Sequence, residues 1–355
     1  MIRVLIVEDS AVVRDLLCHI LGSDPQLEIM ATANDGLEAL DVMSRSKPDV
    51  ITMDINMPRM DGYEATRQIM ETNPVPIVIV SASMDPADEE KTWRALETGA
   101  VAALEKPRHF GTAEYGDYSE RLVRTVKLMS EVKVVRRWRS LRAKTDAAPA
   151  AAQPTRIVAP NFDALIRLVA IGASTGGPPA IQTILSMLPK RFALPLLIVQ
   201  HIAPGFSAGF ARWLNQSCSL SVSLALDGET ALPGNVYVAP DGFQMKVDTN
   251  QRLSLTKDPP EKGLRPSASY LFRSIAASRR RDAVGILLTG MGTDGAEELK
   301  LMRDHGAVTV AQDKETSIVH GMPGEAIRIG AAAYVQPPEG IAEILKRAAR
   351  RNGSD

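Results

Sequence analysis

Short runs of β-branched and aliphatic residues recur along the chain, each followed by a stretch whose apolar residues return every three or four positions. The short runs fit strands buried on both faces, and the wider spacing fits helices laid over them. In the first part of the chain the runs are Arg3–Val7, Glu28–Ala33, Val50–Met53, Ile77–Ser81 and Ala102–Glu105. From Arg167 onward the pattern restarts, most clearly at Leu168–Ile171, Pro195–Gln200, Asn235–Ala239, Ala283–Leu288, Ala307–Ala311 and Ala332–Val335. Strands alternating with helices predict an α/β fold: two doubly wound parallel-sheet domains, a (βα)5 domain and then a larger one. No repeat points to a solenoid.

Between these segments the chain changes character. Residues 119–142 read as a helix with Leu122, Val126 and Met129 on one face. The end of that helix carries Lys133, Arg136, Arg137, Arg139 and Arg142, which suits a solvated helix end or docking to an acidic partner or membrane surface. Lys144–Pro160 is rich in Ala and Pro and has no core pattern, as an extended linker would. The expected organisation is a first domain over 1–125, helix and linker over 126–162, and a second domain over 163–350.

A 355-residue chain has room for two ordinary domains, and its net charge of −1 offers no overall basic field for nucleic acid. Its two cysteines, Cys18 and Cys218, form no disulfide framework and suit a reducing compartment. The opening apolar run meets Glu8 and Asp9 too soon for a signal peptide. No apolar stretch approaches the ~18–20 residues that span a bilayer. A soluble, cytoplasmic protein without membrane insertion is expected, and the domain spacing is compatible with a monomer.

Ligands of open parallel sheets gather at the carboxyl ends of the strands. In the first domain these ends carry Glu8 and Asp9, Asp54, Ser81 and Lys106. Three carboxylates at one edge repel each other unless a cation sits among them, and oxygen donors favour a hard ion, Mg²⁺ before softer metals. Lys106 can pair with a carboxylate or with an added phosphoryl group. With these residues in this order, residues 1–125 resemble the response-regulator receiver domain. The resemblance implies that Asp54 accepts a phosphoryl group from a histidine kinase. It also implies that Glu8, Asp9, Asp54 and the Asn56 carbonyl bind Mg²⁺, and that Ser81 and Lys106 form the switch. The pattern departs at Ala103, where receivers usually carry an aromatic residue, so the rotating-aromatic part of the switch is in question.

In the second domain Gly172-Ala173-Ser174-Thr175-Gly176 reads G-x-S-x-G. Small residues let a strand bend sharply into a helix and lift the serine to the helix N-terminus, where free N–H groups favour developing negative charge. Pro178 and Pro179 fit the helix start. The rivals are a plain N-cap serine and a phosphate-binding loop, whose usual glycine patterns are missing. A nucleophilic serine needs a base and a group to orient it. His201 follows a strand and so reaches the edge that holds Ser174; His305 precedes a strand and falls at the opposite edge; His320 lies in a loop that the pattern does not place. Asp294, in a Gly-rich loop after Ala283–Leu288, can reach an imidazole at that edge or cap a helix. The order Ser…His…Asp differs from that of α/β-hydrolases, so the motif does not assign their fold.

The segments "IGASTGGP", "QHIAPGF", "YVAPDG", "LLTGMGTDGAEEL" and "AQDKETSIVHGMPGEAI" are similar to the chemotaxis protein-glutamate methylesterase/protein-glutamine glutaminase family, over nearly all of residues 165–348. The receiver–linker–esterase order matches that family too. The resemblance implies hydrolysis of glutamyl methyl esters on chemoreceptor signalling helices, with release of methanol, and deamidation of selected receptor glutamines. It implies a triad of Ser174, His201 and Asp294, with the backbone N–H of Met291 as oxyanion donor and no cofactor for hydrolysis. His320 stands where the family usually has an aromatic residue and Ser269 where an acidic one is frequent. Neither is expected to touch the triad. A receptor target outside chemotaxis and a phosphorylation-switched binding protein are the alternatives.

Overall fold

The computed structural model describes residues 1–81, 86–106, 113–132, 134, 165–202, 204–278 and 281–351, apart from the side chains of 86–90, 113–114 and 117. The predicted linker Lys144–Pro160 and the basic positions Lys133, Arg136, Arg137, Arg139 and Arg142 lie outside the described residues. The chain divides into two compact units, Met1–Asp146 and Ala147–Asp355.

In the first unit the elements alternate as the pattern predicts: β1 (Ile2–Val7), α1 (Ala11–Gly22), β2 (Leu27–Ala33), α2 (Gly36–Arg45), β3 (Val50–Met53), α3 (Gly62–Thr72), β4 (Ile77–Ser81), α4 (Pro86–Thr98), β5 (Ala102–Glu105) and α5 (Ala113–Ser130). The strands form one parallel sheet in the order β2-β1-β3-β4-β5. Val4, Leu5, Ile6, Val50, Ile51, Ile77 and Val78 are fully buried, which is why these runs show no alternation. Asp35 and Asp61 cap α2 and α3 by accepting N–H bonds in their first turns. Leu122, Val126 and Met129 are buried as predicted, but α5 starts earlier than expected, at Ala113, and ends at Ser130. Val7 pairs with Met53, so Glu8 and Asp54 leave adjacent strands at the same level, beside the point where the strand order reverses.

The second unit contains β6 (Leu168–Ala173), α6 (Gly177–Ser186), β7 (Leu196–Gln200), α7 (Ser207–Ser217), β8 (Ser221–Leu224), β9 (Asn235–Val238), β10 (Gln244–Val247), β11 (Leu253–Thr256), α8 (Ala268–Ala277), β12 (Ala283–Leu287), α9 (Ala296–Asp304), β13 (Val308–Gln312), α10 (Met322–Arg328), β14 (Tyr334–Gln336) and α11 (Pro338–Arg350). Seven strands form a parallel sheet in the order β14-β13-β12-β6-β7-β9-β8. β10 and β11 make a separate antiparallel hairpin. The hairpin and β8 escaped the sequence reading because each is four residues long and partly exposed. Ala173 pairs with Gln200, and Gly172 with Leu287. This register delivers the residues after β6, β7 and β12 to one level of one edge.

Candidate active site

Ser174 stands on the turn from β6 to α6. Its N–H donates to the Thr289 carbonyl at 3.0 Å, and its carbonyl accepts the Gly177 N–H at 2.8 Å. Gly176 has φ +78°, in the left-handed region, and a Cβ there would lie 2.6 Å from Ile318 Cβ. Gly290 meets the same turn from the other side: a Cβ there would lie 2.6 Å from Ser174 Cβ. Only glycine permits both close approaches. The elbow is therefore clamped between two loops, with the Ser174 side chain only partly buried.

His201 enters from β7, its N–H bonded to the Ala173 carbonyl at 2.9 Å. Its Nε2 lies 2.8 Å from Asp294 Oδ2. The other ring nitrogen, Nδ1, and the Ser174 hydroxyl have no hydrogen-bond partner among the described residues. Asp294 is buried beneath the N-terminus of α8, where it accepts from the Ser267 hydroxyl at 2.7 Å, the Ala268 N–H at 2.6 Å and the Ser269 N–H at 3.2 Å. Burial alone would push its carboxyl up. The bond and charge of His201 and the serine donors outweigh that and hold it well below the usual carboxylate range. Asp294 thus caps a helix as well as facing the imidazole, and that helix is α8, not the α9 that follows it in sequence.

The expectation that Ser269 stands clear of these residues is overturned. Besides its N–H bond to Asp294, its hydroxyl accepts the Gly295 N–H at 2.8 Å. A serine is small enough to sit inside the first turn of α8 and serve the acid from there. His305 donates its Nδ1–H to the Ala276 carbonyl, 2.7 Å away. His320 sits in the segment that bridges Gly290, with Nδ1 3.2 Å from Ser317 Oγ. The Met291 N–H, next to that bridge, has no acceptor among the described residues.

Three further polar residues bind this edge together. The Gln200 amide donates to the carbonyls of Ser174 and His201, each at 2.8 Å. Thr289 bonds to the elbow, and Gln312 accepts the Thr289 N–H at 2.8 Å. Each ends or follows a largely apolar run, a position that by itself does not set it apart from any other strand residue.

In the first unit the carboxylate oxygens of Glu8, Asp9 and Asp54 lie within 4.8 Å of one another. The Lys106 ammonium is 2.9 Å from Asp54 Oδ2 and 2.9 Å from Glu8 Oε2. Burial, and then the Asp54 charge, push Glu8 up to about 7 against the pull of Lys106. Burial also pushes Asp54 up, more than Lys106 lowers it. Burial disfavours the Lys106 ammonium, but the pairs with Asp54 and Glu8 outweigh it and raise its pKa. A self-repelling, all-oxygen set, buried at Glu8 and Asp54 and open to solvent at Asp9, fits a small hard cation. Ser81 is buried where β4 ends, and its carbonyl accepts the Lys106 N–H at 2.9 Å. Asn56 accepts from Lys91 of α4 through its side chain at 3.2 Å. Ala103, on β5, is half-buried.

An acidic pocket at the switch point of a (βα)5 sheet, followed by a larger parallel-sheet unit with a serine elbow beside a His–Asp pair, defines a receiver-linked α/β hydrolase. The family profile described as response regulator receiver domain matches residues 4–112, and that described as CheB methylesterase matches residues 169–345. The chain belongs to the CheB protein-glutamate methylesterase/protein-glutamine glutaminase family. It is 53% identical to the protein-glutamate methylesterase/protein-glutamine glutaminase of Nitrosospira multiformis, across 99% of this chain and 98% of that protein. It is likewise 53% identical to protein-glutamate methylesterase/protein-glutamine glutaminase 1 of Syntrophus aciditrophicus, across 98% of this chain and 99% of the relative. The crystal structure of the Thermotoga maritima CheB methylesterase catalytic domain superposes with a TM-score of 0.50 at 36% identity, covering 51% of this chain and 98% of that one.

Proposed function

We infer that this chain removes methyl groups from glutamyl methyl esters of chemoreceptors and deamidates selected receptor glutamines, under control of its receiver domain. The reading rests on the His201–Asp294 pair, placed at the sheet edge where β6 turns into the Ser174 elbow. Family membership over almost the whole chain supports the chemistry.

In this reading Ser174 attacks the side-chain carbonyl while His201 takes its proton through Nδ1, since Nε2 is held by Asp294. Asp294 fixes the ring and stabilises its charged form. As the C–O or C–N bond breaks, the imidazolium gives that proton to the leaving methoxide oxygen or amide nitrogen, releasing methanol or ammonia, and water repeats the sequence on the acyl-enzyme. The Met291 N–H receives the tetrahedral oxyanion, a role worth about 3–4 kcal/mol at comparable sites. The ester or amide chemistry needs no bound cofactor.

A histidine kinase supplies the phosphoryl group, and Asp54 accepts it. Glu8, Asp9, Asp54 and the Asn56 carbonyl would hold Mg²⁺, which screens the carboxylates and the phosphoryl oxygens when bound. Ser81 and Lys106 adjoin that pocket and serve as its switch groups. Residues 163–350 are assigned as the catalytic domain and 126–162 as the connection to the receiver. The assay is methanol release from methylated chemoreceptor membranes: wild type releases it, Ser174→Ala does not, and retention in the variant overturns the assignment.

A further inference from the structure

We propose that Thr289 is a positioning residue for this chemistry, locking the Ser174 elbow and the Met291 N–H into one fixed relationship. The proposal rests on the reading of Ser174 as nucleophile and Met291 as oxyanion donor. Thr289 follows β12 and is buried, with 1% exposure. All of its polar groups are used, and each use reaches a different piece of the site. Its carbonyl accepts the Ser174 N–H at 3.0 Å. Its hydroxyl donates to the Thr175 carbonyl at 2.9 Å, with the Val319 carbonyl 3.2 Å away as a second acceptor. The same hydroxyl accepts the Val319 N–H at 2.9 Å. Its own N–H donates to Gln312 Oε1 at 2.8 Å. Gln312 in turn donates to the Thr316 carbonyl at 3.0 Å and hydroxyl at 3.1 Å.

One buried side chain thereby joins the segments that leave β6, β12 and β13. Gly290 follows it directly, pairing with the Val319–Met322 segment: its N–H donates to the Val319 carbonyl and its carbonyl accepts the Met322 N–H, both at 2.9 Å. Met291 comes next. The distance between the Ser174 hydroxyl and the Met291 N–H is therefore set through Thr289. An oxyanion forms only as the serine adds to the carbonyl, so an error in that distance weakens the transition state and leaves substrate binding alone. Valine has the shape of threonine without the hydroxyl, and serine keeps the hydroxyl.

The test measures methanol release from methylated chemoreceptor membranes by the full chain as wild type, Thr289→Val, Thr289→Ser and Ser174→Ala. The expected result for Thr289→Val is a kcat lower by about 10- to 100-fold, the scale of a displaced catalytic group. KM and the pH dependence of kcat stay unchanged, and Thr289→Ser recovers most of the loss. A peptide boronate that places its boron at the scissile carbonyl mimics the tetrahedral state; its affinity for Thr289→Val falls by the same factor as kcat. If the variant only melts earlier, with kcat of the folded enzyme and boronate affinity unmoved, the proposal is overturned. Should Thr289→Val fail to fold, Gln312→Met removes the acceptor of the Thr289 N–H and is read the same way; unchanged kcat there also overturns it. Full methanol release by Ser174→Ala would instead defeat the nucleophile assignment, which keeps the two failures apart.

Discussion

His201 presents Nε2, not Nδ1, to Asp294, across 2.8 Å. The choice of nitrogen decides which one remains for the serine and ties the acid to a ring held by the end of β7. Asp294 also receives three donors from the start of α8, so its carboxylate cannot rotate to another partner.

Asp294→Asn is therefore expected to cost both rate and stability. An amide must turn an NH2 toward donors that need an acceptor, leaving at least one buried group unpaired at about 1–3 kcal/mol. Turnover falls by about 10³- to 10⁴-fold, the scale seen when a triad acid loses its charge. The native carboxyl is held low, so its stabilisation is present above the ordinary carboxylate range and is lost as pH falls through the depressed value. Thermal unfolding across pH checks this: the gap between wild type and variant is widest near neutrality and closes in acid.

Ser174→Ala should abolish methanol release and ammonia release together, because one nucleophile serves ester and amide. His201→Ala should be comparably severe. His320→Ala should be mild, since His320 bonds to Ser317 and not to Asp294. Initial rates on methylated and on glutamine-bearing receptor membranes decide between the two histidines.

Asp54→Ala should remove the response to small phosphodonors and leave the unstimulated hydrolysis in place. Asp54 lies in the first compact unit and Ser174 in the second. Loss of all hydrolysis in a folded Asp54→Ala chain would mean that the receiver does more than regulate.

Glu8 gives the receiver a pH signature. Its folded-state value, about 7, is above the ordinary glutamate value, so the folded state holds the proton more tightly than the unfolded chain does. Its favourable contribution is present at low pH and is lost as pH rises toward and through about 7. Without divalent cation, the receiver's melting temperature should fall from about pH 5 to about pH 8; added Mg²⁺ should restore it most at the upper end, and Glu8→Gln should flatten the trend. Calorimetry of the full chain with and without Mg²⁺ tests this, and a rising trend in the metal-free protein contradicts it.

Most of the fold was legible because parallel strands buried on both faces write themselves as unbroken apolar runs, as Val4–Val7 and Leu196–Val199 do. β8 was not, since Ser221 and Ser223 alternate with Val222 and leave only two apolar positions in four. The site residues that terminate strands, such as Ser174, His201 and Asp54, could be placed by edge alone. Ser267 and Ser269 could not: their link to Asp294 runs from the start of α8 to the loop after β12, and no local spacing encodes it. Thr289 was hidden for a different reason. A threonine ending an apolar run looks like any strand residue until its four partners are seen.

The strand order also fixes a timetable for synthesis. β8 emerges from the ribosome before β9, yet β9 lies between β7 and β8 in the finished sheet. Until Asn235–Val238 is made, β8 has no ladder to join; then Val236 pairs with Leu196 on one side and Val222 on the other. That half of the sheet holds the roots of Ser174 and His201, and all of its strands precede β12, β13 and β14 along the chain. β12, β13 and β14 are added afterwards on the opposite flank of β6, and the loop after β12 brings Asp294. A nascent chain thus carries Ser174 and His201 before Asp294 and Thr289 exist, and the Ser174 turn lacks its clamp and the His201 ring its carboxylate partner until β12 is added beside β6.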